Sequence, residues 1–128
     1  MTYHFTTTVT MPFDKAIEVV TEALKAKGFG VLTTIDVKAA LKSKIDVDFR
    51  PYTILGACNP RYAHRALQHE DKIGTMLPCN VVLQEKEPGK IEVSAIDPIA
   101  SMQAIDNPKL GDVATEVRAM LKDVIDGL

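Results

Sequence analysis

The fold is decided in the middle of the chain, by the stretch Tyr52-Thr53-Ile54-Leu55-Gly56-Ala57-Cys58-Asn59-Pro60. Residues 52–57 are almost uniformly apolar, which is typical of a buried β-strand. Asn59 and Pro60 then predict the start of a helix, because asparagine is a preferred N-cap and proline is favoured at the first helical position. The stretch therefore predicts a buried strand that leads directly into a helix.

Downstream, the pattern predicts a helix, a hairpin and a final helix. The helix that starts at Asn59-Pro60 is predicted to end at Gly74. Residues 80–86 and 90–96 are two predicted strands, joined by a turn at residues 87–89. Asn107-Pro108 repeats the cap-and-proline start and opens a long amphipathic helix. Its predicted apolar face consists of Leu110, Val113, Ala114, Val117, Leu121 and Val124.

Upstream, residues 3–10 form a threonine-rich predicted strand, and apolar residues at spacings of three and four predict a helix from Pro12 to Gly28. Residues 30–35 predict a short strand, and Asp36 is the predicted cap of a short helix over residues 37–42. The strict alternation of residues 45–50 predicts a half-buried strand that Pro51 interrupts.

Strands and helices do not alternate regularly in this order, which disfavours a doubly wound parallel sheet. We expect a single α+β domain over residues 1–128, with a mostly antiparallel sheet packed on one face by two long helices and with a further helix inserted between strands. A length of 128 residues and 46% apolar residues suit one domain with its own core.

The composition of the chain argues against several classes of protein. The formal net charge is −2 and there is no tryptophan, which argues against a nucleic-acid partner. No apolar run approaches the roughly 20 residues of a membrane span, and the first residues do not resemble a secretory signal. Two cysteines do not make a disulfide framework. We therefore expect a cytoplasmic protein without a membrane partner, with both thiols free.

Two segments carry a family resemblance. Residues 52–60, with Ala63 and Ala66-Leu67 after them, and residues 74–82 (Gly74-Thr75-Met76-Leu77-Pro78-Cys79-Asn80-Val81-Val82) resemble the bacterial family called domain of unknown function 302. The resemblance extends over nearly the whole chain. It implies a strand–helix–four-strand–helix layout similar to the TATA-binding-protein and helix-grip group, and it implies a homodimer. It implies no general activity, and function does not follow from fold.

Cys58 and Cys79 are the first candidates for chemistry. Cys58 precedes a predicted helix, and a helix N-terminus lowers the pKa of a nearby thiol. If their strands are adjacent and antiparallel, the two thiols lie at the same end of the sheet; a parallel crossover would separate them. The simpler interpretation is that both cysteines are buried packing residues.

The remaining candidates are polar residues near these strands. Asn59 and Asn80 follow the two cysteines; we expect Asn59 to serve mainly as a helix cap. His64 and His69 lie about 140° apart on a helix and cannot share one metal ion from a single face, although His64 alone is a candidate metal or haem ligand. Arg50 and Arg61 flank the buried strand and would grip an anion only if they converge.

No complete catalytic constellation is visible, which favours a non-enzymatic module that binds a small molecule or a partner. The expected binding residues are Cys58, Asn59, Pro60, Leu77, Pro78, Cys79 and Asn80. The alternative is a thiol-based redox protein, or a soft-metal or haem protein, using Cys58, Cys79 and His64. The sequence identifies no particular cofactor.

Overall fold

A computed structural model describes residues 2–128 and shows one five-stranded sheet. The strands are β1 (His4–Thr10), β2 (Gly30–Asp36), β3 (Tyr52–Cys58), β4 (Cys79–Glu87) and β5 (Lys90–Ile96). Their spatial order is β1-β5-β4-β3-β2, and every neighbouring pair is antiparallel. The predicted α+β class with an antiparallel sheet is confirmed.

Two long helices, α1 (Phe13–Ala26) and α5 (Gly111–Asp126), pack on one face of this sheet. The packed faces of the two helices match the predicted apolar stripes: α1 buries Ala16, Val20 and Leu24, and α5 buries Val113, Ala114, Val117, Leu121, Val124 and Ile125. The strands contribute alternate residues to the same core, among them Leu55, Val81, Leu83, Ile91 and Val93. Burial of these apolar side chains is the main stabilising contribution.

Three shorter helices complete the chain: α2 (Val37–Ile45), α3 (Pro60–His69) and α4 (Pro98–Ser101). The predicted hairpin is confirmed, with Gly89 at φ 77° in its turn. Within residues 2–128, no helix is both long and apolar enough to span a membrane.

The predicted strand at residues 45–50 is wrong. Ile45 is the last residue of α2, and residues 46–51 belong to no strand. Asp46 adopts a left-handed conformation, with φ 54°, which ends the helix. The Lys42 ammonium lies 2.8 Å from the Asp46 carboxylate and 3.2 Å from that of Asp48. The alternating carboxylates therefore belong to a local ion cluster and not to the exposed face of a strand.

Two helix boundaries also differ from the predictions. α3 ends at His69, and a 3-10 segment (Asp71–Met76) follows, which buries Ile73. At the last helix, Asn107 does cap a helical turn, since its side chain accepts a hydrogen bond from the Lys109 N–H, but this turn is a 3-10 segment (Pro108–Leu110) that precedes α5. The predicted cap of α2 is confirmed: the Asp36 carboxylate accepts a hydrogen bond of 2.9 Å from the Ala39 N–H.

A candidate ligand cavity at one end of the sheet

The register of β3 and β4 brings the two cysteines to the same end of the sheet. The strands are antiparallel neighbours, and Ala57 lies directly opposite Cys79. Cys58 is therefore one residue away from the position that faces Cys79. The structure thus selects the adjacent antiparallel arrangement and excludes the parallel crossover that would have separated the thiols.

A small apolar cavity lies at this end, between the sheet, the first turn of α3 and the inner face of α5. Its volume is about 30 Å³, room for about two water-sized groups. The lining residues are Phe29, Ala57, Cys58, Asn59, Tyr62, Ala63, Ala66, Leu77, Pro78, Cys79, Pro98, Met102, Val113, Ala114 and Val117. Five of the seven predicted binding residues thus surround one space.

The other two predicted binding residues lie outside this cavity. Pro60 is the first residue of α3 and does not line the space. Asn80 is exposed and lies next to Val82 and Gln84 in a shallow depression on the opposite face of the sheet. The alternation of a β-strand explains this, because Asn80 and Cys79 point to opposite faces.

Asn59 occupies the N-cap position of α3 without capping it through its side chain. Its side-chain amide instead donates a hydrogen bond of 3.4 Å to the Lys27 carbonyl, at the end of α1. Gly28, at φ 86°, allows this close approach: a Cβ at position 28 would lie 3.1 Å from Asn59 Nδ2. The predicted side-chain cap is therefore wrong, and Asn59 ties the start of α3 to the end of α1.

Burial raises the pKa of both thiols. The pKa of Cys79 is raised to about 11, first by desolvation and then by the nearby Cys58 thiolate. The pKa of Cys58 is also raised by desolvation. The expected lowering of the Cys58 pKa by the helix N-terminus is wrong here, because desolvation by burial raises it. Both thiols are therefore protonated at neutral pH, and neither is an activated nucleophile.

The described residues do not form a metal centre. His64 is exposed on α3 and does not line the cavity. Among residues 2–128, no group of three or more histidine, cysteine, aspartate or glutamate side chains is arranged to hold a metal ion. A cavity of about 30 Å³ is also far smaller than the several hundred Å³ of a typical cofactor pocket. Cys58 and Cys79 supply two thiols at the cavity, fewer than such a group requires.

Arg50 and Arg61 do not converge on one anion. They flank opposite ends of β3, whose seven residues span about 20 Å. The Arg50 guanidinium donates a hydrogen bond of 2.9 Å to Gln84 Oε1 and packs on the rings of Phe49 and Tyr52. Arg61 is exposed beside the start of α3.

Gly56 lets Pro78 lie against β3 at the cavity wall. A Cβ at position 56 would lie 2.7 Å from Pro78 Cγ and even closer to the Thr33 hydroxyl. Only glycine leaves room for both neighbours. The Leu77–Pro78 peptide bond that leads into β4 is cis.

A half-buried ion pair between Asp97 and Arg118 holds the far wall. The Asp97 side chain is 9% exposed, and its carboxylate accepts a hydrogen bond of 2.9 Å from the Ile99 N–H and lies 3.1 Å from Arg118 Nε on α5. These contacts fix α4 and therefore position Pro98 and Met102. Sequence reasoning missed this wall: the α5 residues were predicted as core, but no pattern marked Asp97, Pro98 or Met102 as neighbours of the cysteines.

Comparisons with known proteins agree with this architecture. A family model described as "Domain of unknown function DUF302" matches residues 5–128. The structure is similar to the crystal structure of an uncharacterized conserved DUF302 protein from Bacillus stearothermophilus, with a TM-score of 0.89, 31% sequence identity and coverage of 98% of both chains. No curated protein sequence matches the chain. Since the family model matches residues 5–128 and the similar solved structure is covered over nearly its whole length, the chain belongs to the DUF302 family.

Proposed function

We propose that the chain is a small non-enzymatic binding module whose ligand enters the cavity beside Cys58 and Cys79. The observation that carries this proposal is the cavity itself, which is apolar and is built by five separate parts of the chain. Ligand sites are mostly apolar concave spaces with a few polar groups at the rim. Here the polar groups are the Asn59 amide and the first turn of α3.

The cavity volume limits the group that enters. Typical pockets for drug-sized ligands measure about 300–1,000 Å³, whereas this cavity measures about 30 Å³. The site therefore takes a short apolar group, and the rest of the ligand lies at the mouth, near Asn59 and Tyr62.

Methyl NMR of the full chain tests this function. A panel of small compounds with short apolar groups is titrated, and the signals of Met102, Val113 and Val117 report on the cavity. We expect saturable shifts that Ala114→Leu removes, since the larger side chain fills the space. The matched control is Ala39→Leu, an exposed position on α2, which keeps the shifts. A panel without any saturable shift at these three residues would refute the proposal.

We also propose that the module is a homodimer in a bacterial cytoplasm. The sheet face opposite α1 and α5 carries a row of apolar residues across three strands, Ile35, Ile54 and Val82, which are aligned by the register. Ile35 is 48% exposed. Beside this row lies a network of polar side chains. Arg50 is hydrogen-bonded to Gln84, and both Gln84 and Lys86 are hydrogen-bonded to Glu92. A twofold-related copy offers the same apolar row, so this face suits self-association.

Sedimentation velocity tests the dimer. We expect the wild-type chain to sediment as a dimer at micromolar concentration and Val82→Lys to sediment as a folded monomer, because a lysine in the apolar row is desolvated on association. Thr10→Lys, at an exposed position outside the row, is the control and stays dimeric. A wild-type monomer at these concentrations would exclude this interface.

A thiol-based function at the same end of the sheet is the second candidate. The specific observation in its favour is that Cys58 and Cys79 line one cavity and lie at adjacent register positions. Oxidation would convert two thiols and one hydrogen peroxide into a disulfide and two waters. The raised pKa of both thiols makes this reaction slow, because the thiolate is the reacting form.

Mass spectrometry of free thiols after peroxide exposure separates the two candidates. A Cys58–Cys79 disulfide that forms within minutes at neutral pH and is reversed by dithiothreitol would favour the redox function. Two intact thiols after the same exposure would favour the binding module.

A further inference from the structure

We infer that Met102 sets the length of the apolar group that the site accepts, and that the ligand carries an unbranched aliphatic chain. This inference rests on the proposed binding function and names the chemical class of the ligand. With the Met102 side chain in its present position, the cavity admits a short group only. When that side chain rotates away, a longer chain runs from the mouth through the cavity into a larger groove.

This groove lies on the other side of the far wall, between α4 and the start of α5, where Ile105 and Leu110 line it. Its volume is about 250 Å³, compared with about 30 Å³ for the cavity. Among the described residues, Met102 and Ala114 line both spaces. Since the side chain of alanine is a single methyl group, Met102 is the long side chain at the boundary. Together the two spaces approach the roughly 300 Å³ at which ordinary small-molecule pockets begin.

The Met102 side chain can move while its backbone stays in place. The Met102 N–H donates a hydrogen bond of 3.1 Å to the Pro98 carbonyl, and the Met102 carbonyl accepts one of 3.0 Å from the Ile105 N–H. The side chain itself is half-buried, unbranched and flexible about three bonds. Its rotation therefore connects the cavity and the groove without displacing α4, which the Asp97–Arg118 pair holds.

Neither space offers a partner for a charged group. None of the described residues that line them is a lysine, arginine, histidine, aspartate or glutamate, although charged residues make up 25% of the chain. The polar side chains of the groove are already engaged. Asn107 donates a hydrogen bond to the His69 carbonyl. Thr115 donates one to the Gly111 carbonyl, and Gln103 also has a partner within the chain. An unpaired charge is costly in such surroundings, whereas an aliphatic chain is stabilised there.

Methyl NMR of the full chain, with ethanol, hexan-1-ol and cyclohexanol as probes, tests this inference. Val117 lines the cavity and not the groove, whereas Ile105 and Leu110 line the groove and not the cavity. We expect ethanol to shift the Val117 signals, and hexan-1-ol to shift the signals of all three residues with a single dissociation constant. We expect cyclohexanol, which holds the carbons of hexan-1-ol in a wide ring, to leave the two groove residues unshifted.

Two substitutions of Met102 test its role at the boundary. In wild type, we expect each methylene group added between ethanol and hexan-1-ol to strengthen binding by about two- to fourfold, up to the value for full burial. Met102→Ile keeps a large apolar side chain but restricts its rotation through the branched Cβ, so we expect this gain to disappear. Met102→Ala removes the boundary, and we expect hexan-1-ol to bind about two- to tenfold more tightly, because no side chain has to move first.

Met120→Ala is the matched control, because Met120 is half-buried on α5 and lines neither space. We expect it to bind all the alcohols as wild type does. Thermal unfolding shows whether each variant is folded. The wild-type shifts at Ile105 and Leu110 test the inference even where a variant does not fold.

The outcomes separate this inference from the binding function. If hexan-1-ol shifts Val117 but neither Ile105 nor Leu110, the cavity is closed at Met102; the inference is overturned and the binding function stands. Groove shifts with a separate dissociation constant, or equal hexan-1-ol affinities in wild type, Met102→Ile and Met102→Ala, would overturn it too. Cyclohexanol that shifts the groove residues together with Val117 would overturn the unbranched chain. Absence of saturable shifts at Val117 with all three probes would contradict the binding function and this inference together.

Discussion

At the scale of single residues, the cavity depends on a glycine that leaves space and on two cysteines that are uncharged. Gly56 has no Cβ, which leaves space for Thr33 and Pro78. Cys79 is buried as a protonated thiol, and its neighbour Cys58 is desolvated too. The cysteines therefore act as small wall residues, and their charge states follow from burial.

Gly56→Ala tests the close approach at Pro78. The added methyl group meets Pro78 and Thr33, and overpacking of this kind costs about 1–3 kcal/mol. We expect the free energy of unfolding in urea to fall by this amount. Gly74→Ala is the control, because nothing lies within 4 Å of a Cβ at that position. Equal stability of Gly56→Ala and wild type would show that β3 and Pro78 are not in contact.

The raised pKa of Cys79 predicts a pH dependence of stability. The pKa of the folded thiol is about 11 and that of the unfolded thiol is near the ordinary 9.0, so the folded state holds its proton to higher pH. Stability is therefore fully present below pH 9 and is lost as pH rises toward 11, by about 2–3 kcal/mol.

The measurement is urea unfolding from pH 7 to pH 11, with Cys79→Ala as the reference. We expect wild type to lose more stability than Cys79→Ala over pH 9–11, with Cys58→Ala in between, because the pKa of Cys58 is itself raised and Cys58 contributes to the shift at Cys79. Parallel pH profiles for wild type and Cys79→Ala would contradict the burial of this thiol.

At the scale of elements, local patterns predicted most of the sheet and both long helices. The α1 and α5 stripes and the β4–β5 hairpin are set by nearby residues, so periodicity and turn composition identify them. The prediction of a strand at residues 45–50 was wrong. The charged residues of that alternation are Asp46 and Asp48, which form ion pairs with Lys42 and not the exposed face of a strand. The capping role of Asn59 failed for another reason: its partner, Lys27, is 32 residues away in the chain.

The element most dependent on distant contacts is α4. Asp97→Asn keeps a hydrogen-bond acceptor for the Ile99 N–H but removes the charge that faces Arg118. Since Arg118 is itself 39% exposed and retains access to water, we expect a loss of about 1–3 kcal/mol, below the cost of breaking a fully buried pair. Thermal unfolding measures this loss.

The control for α4 is Lys122→Gln, which removes an exposed ion pair with Asp126 in the same helix and changes stability by less than about 1 kcal/mol. If Asp97→Asn and Lys122→Gln had equal effects, α4 would not be held by the Asp97–Arg118 pair.

At the scale of the whole molecule, the candidate site arises where the ends of several elements meet. Residues 58–63, 77–79, 98–102 and 113–117 are distant in sequence, and the antiparallel register with the return of α5 brings them together. The sequence predicted binding residues in the first two segments, because they carry the cysteines and the family resemblance. It could not predict that residues 98–102 and 113–117 line the same space, since only the packing of α4 and α5 against this end of the sheet closes the cavity.

The central claim is that this space admits small apolar groups, and xenon binding followed by methyl NMR tests it most directly. Xenon enters apolar cavities without requiring polar partners. Val117→Ala widens the cavity, whereas Val124→Ala is a matched change on α5 at a buried residue that does not line it. The account predicts saturable xenon shifts at Met102 and Val113 in wild type, tighter binding in Val117→Ala and the same shifts in Val124→Ala as in wild type. Absence of saturable shifts at Met102 and Val113 in both wild type and Val117→Ala would contradict the existence of an accessible cavity.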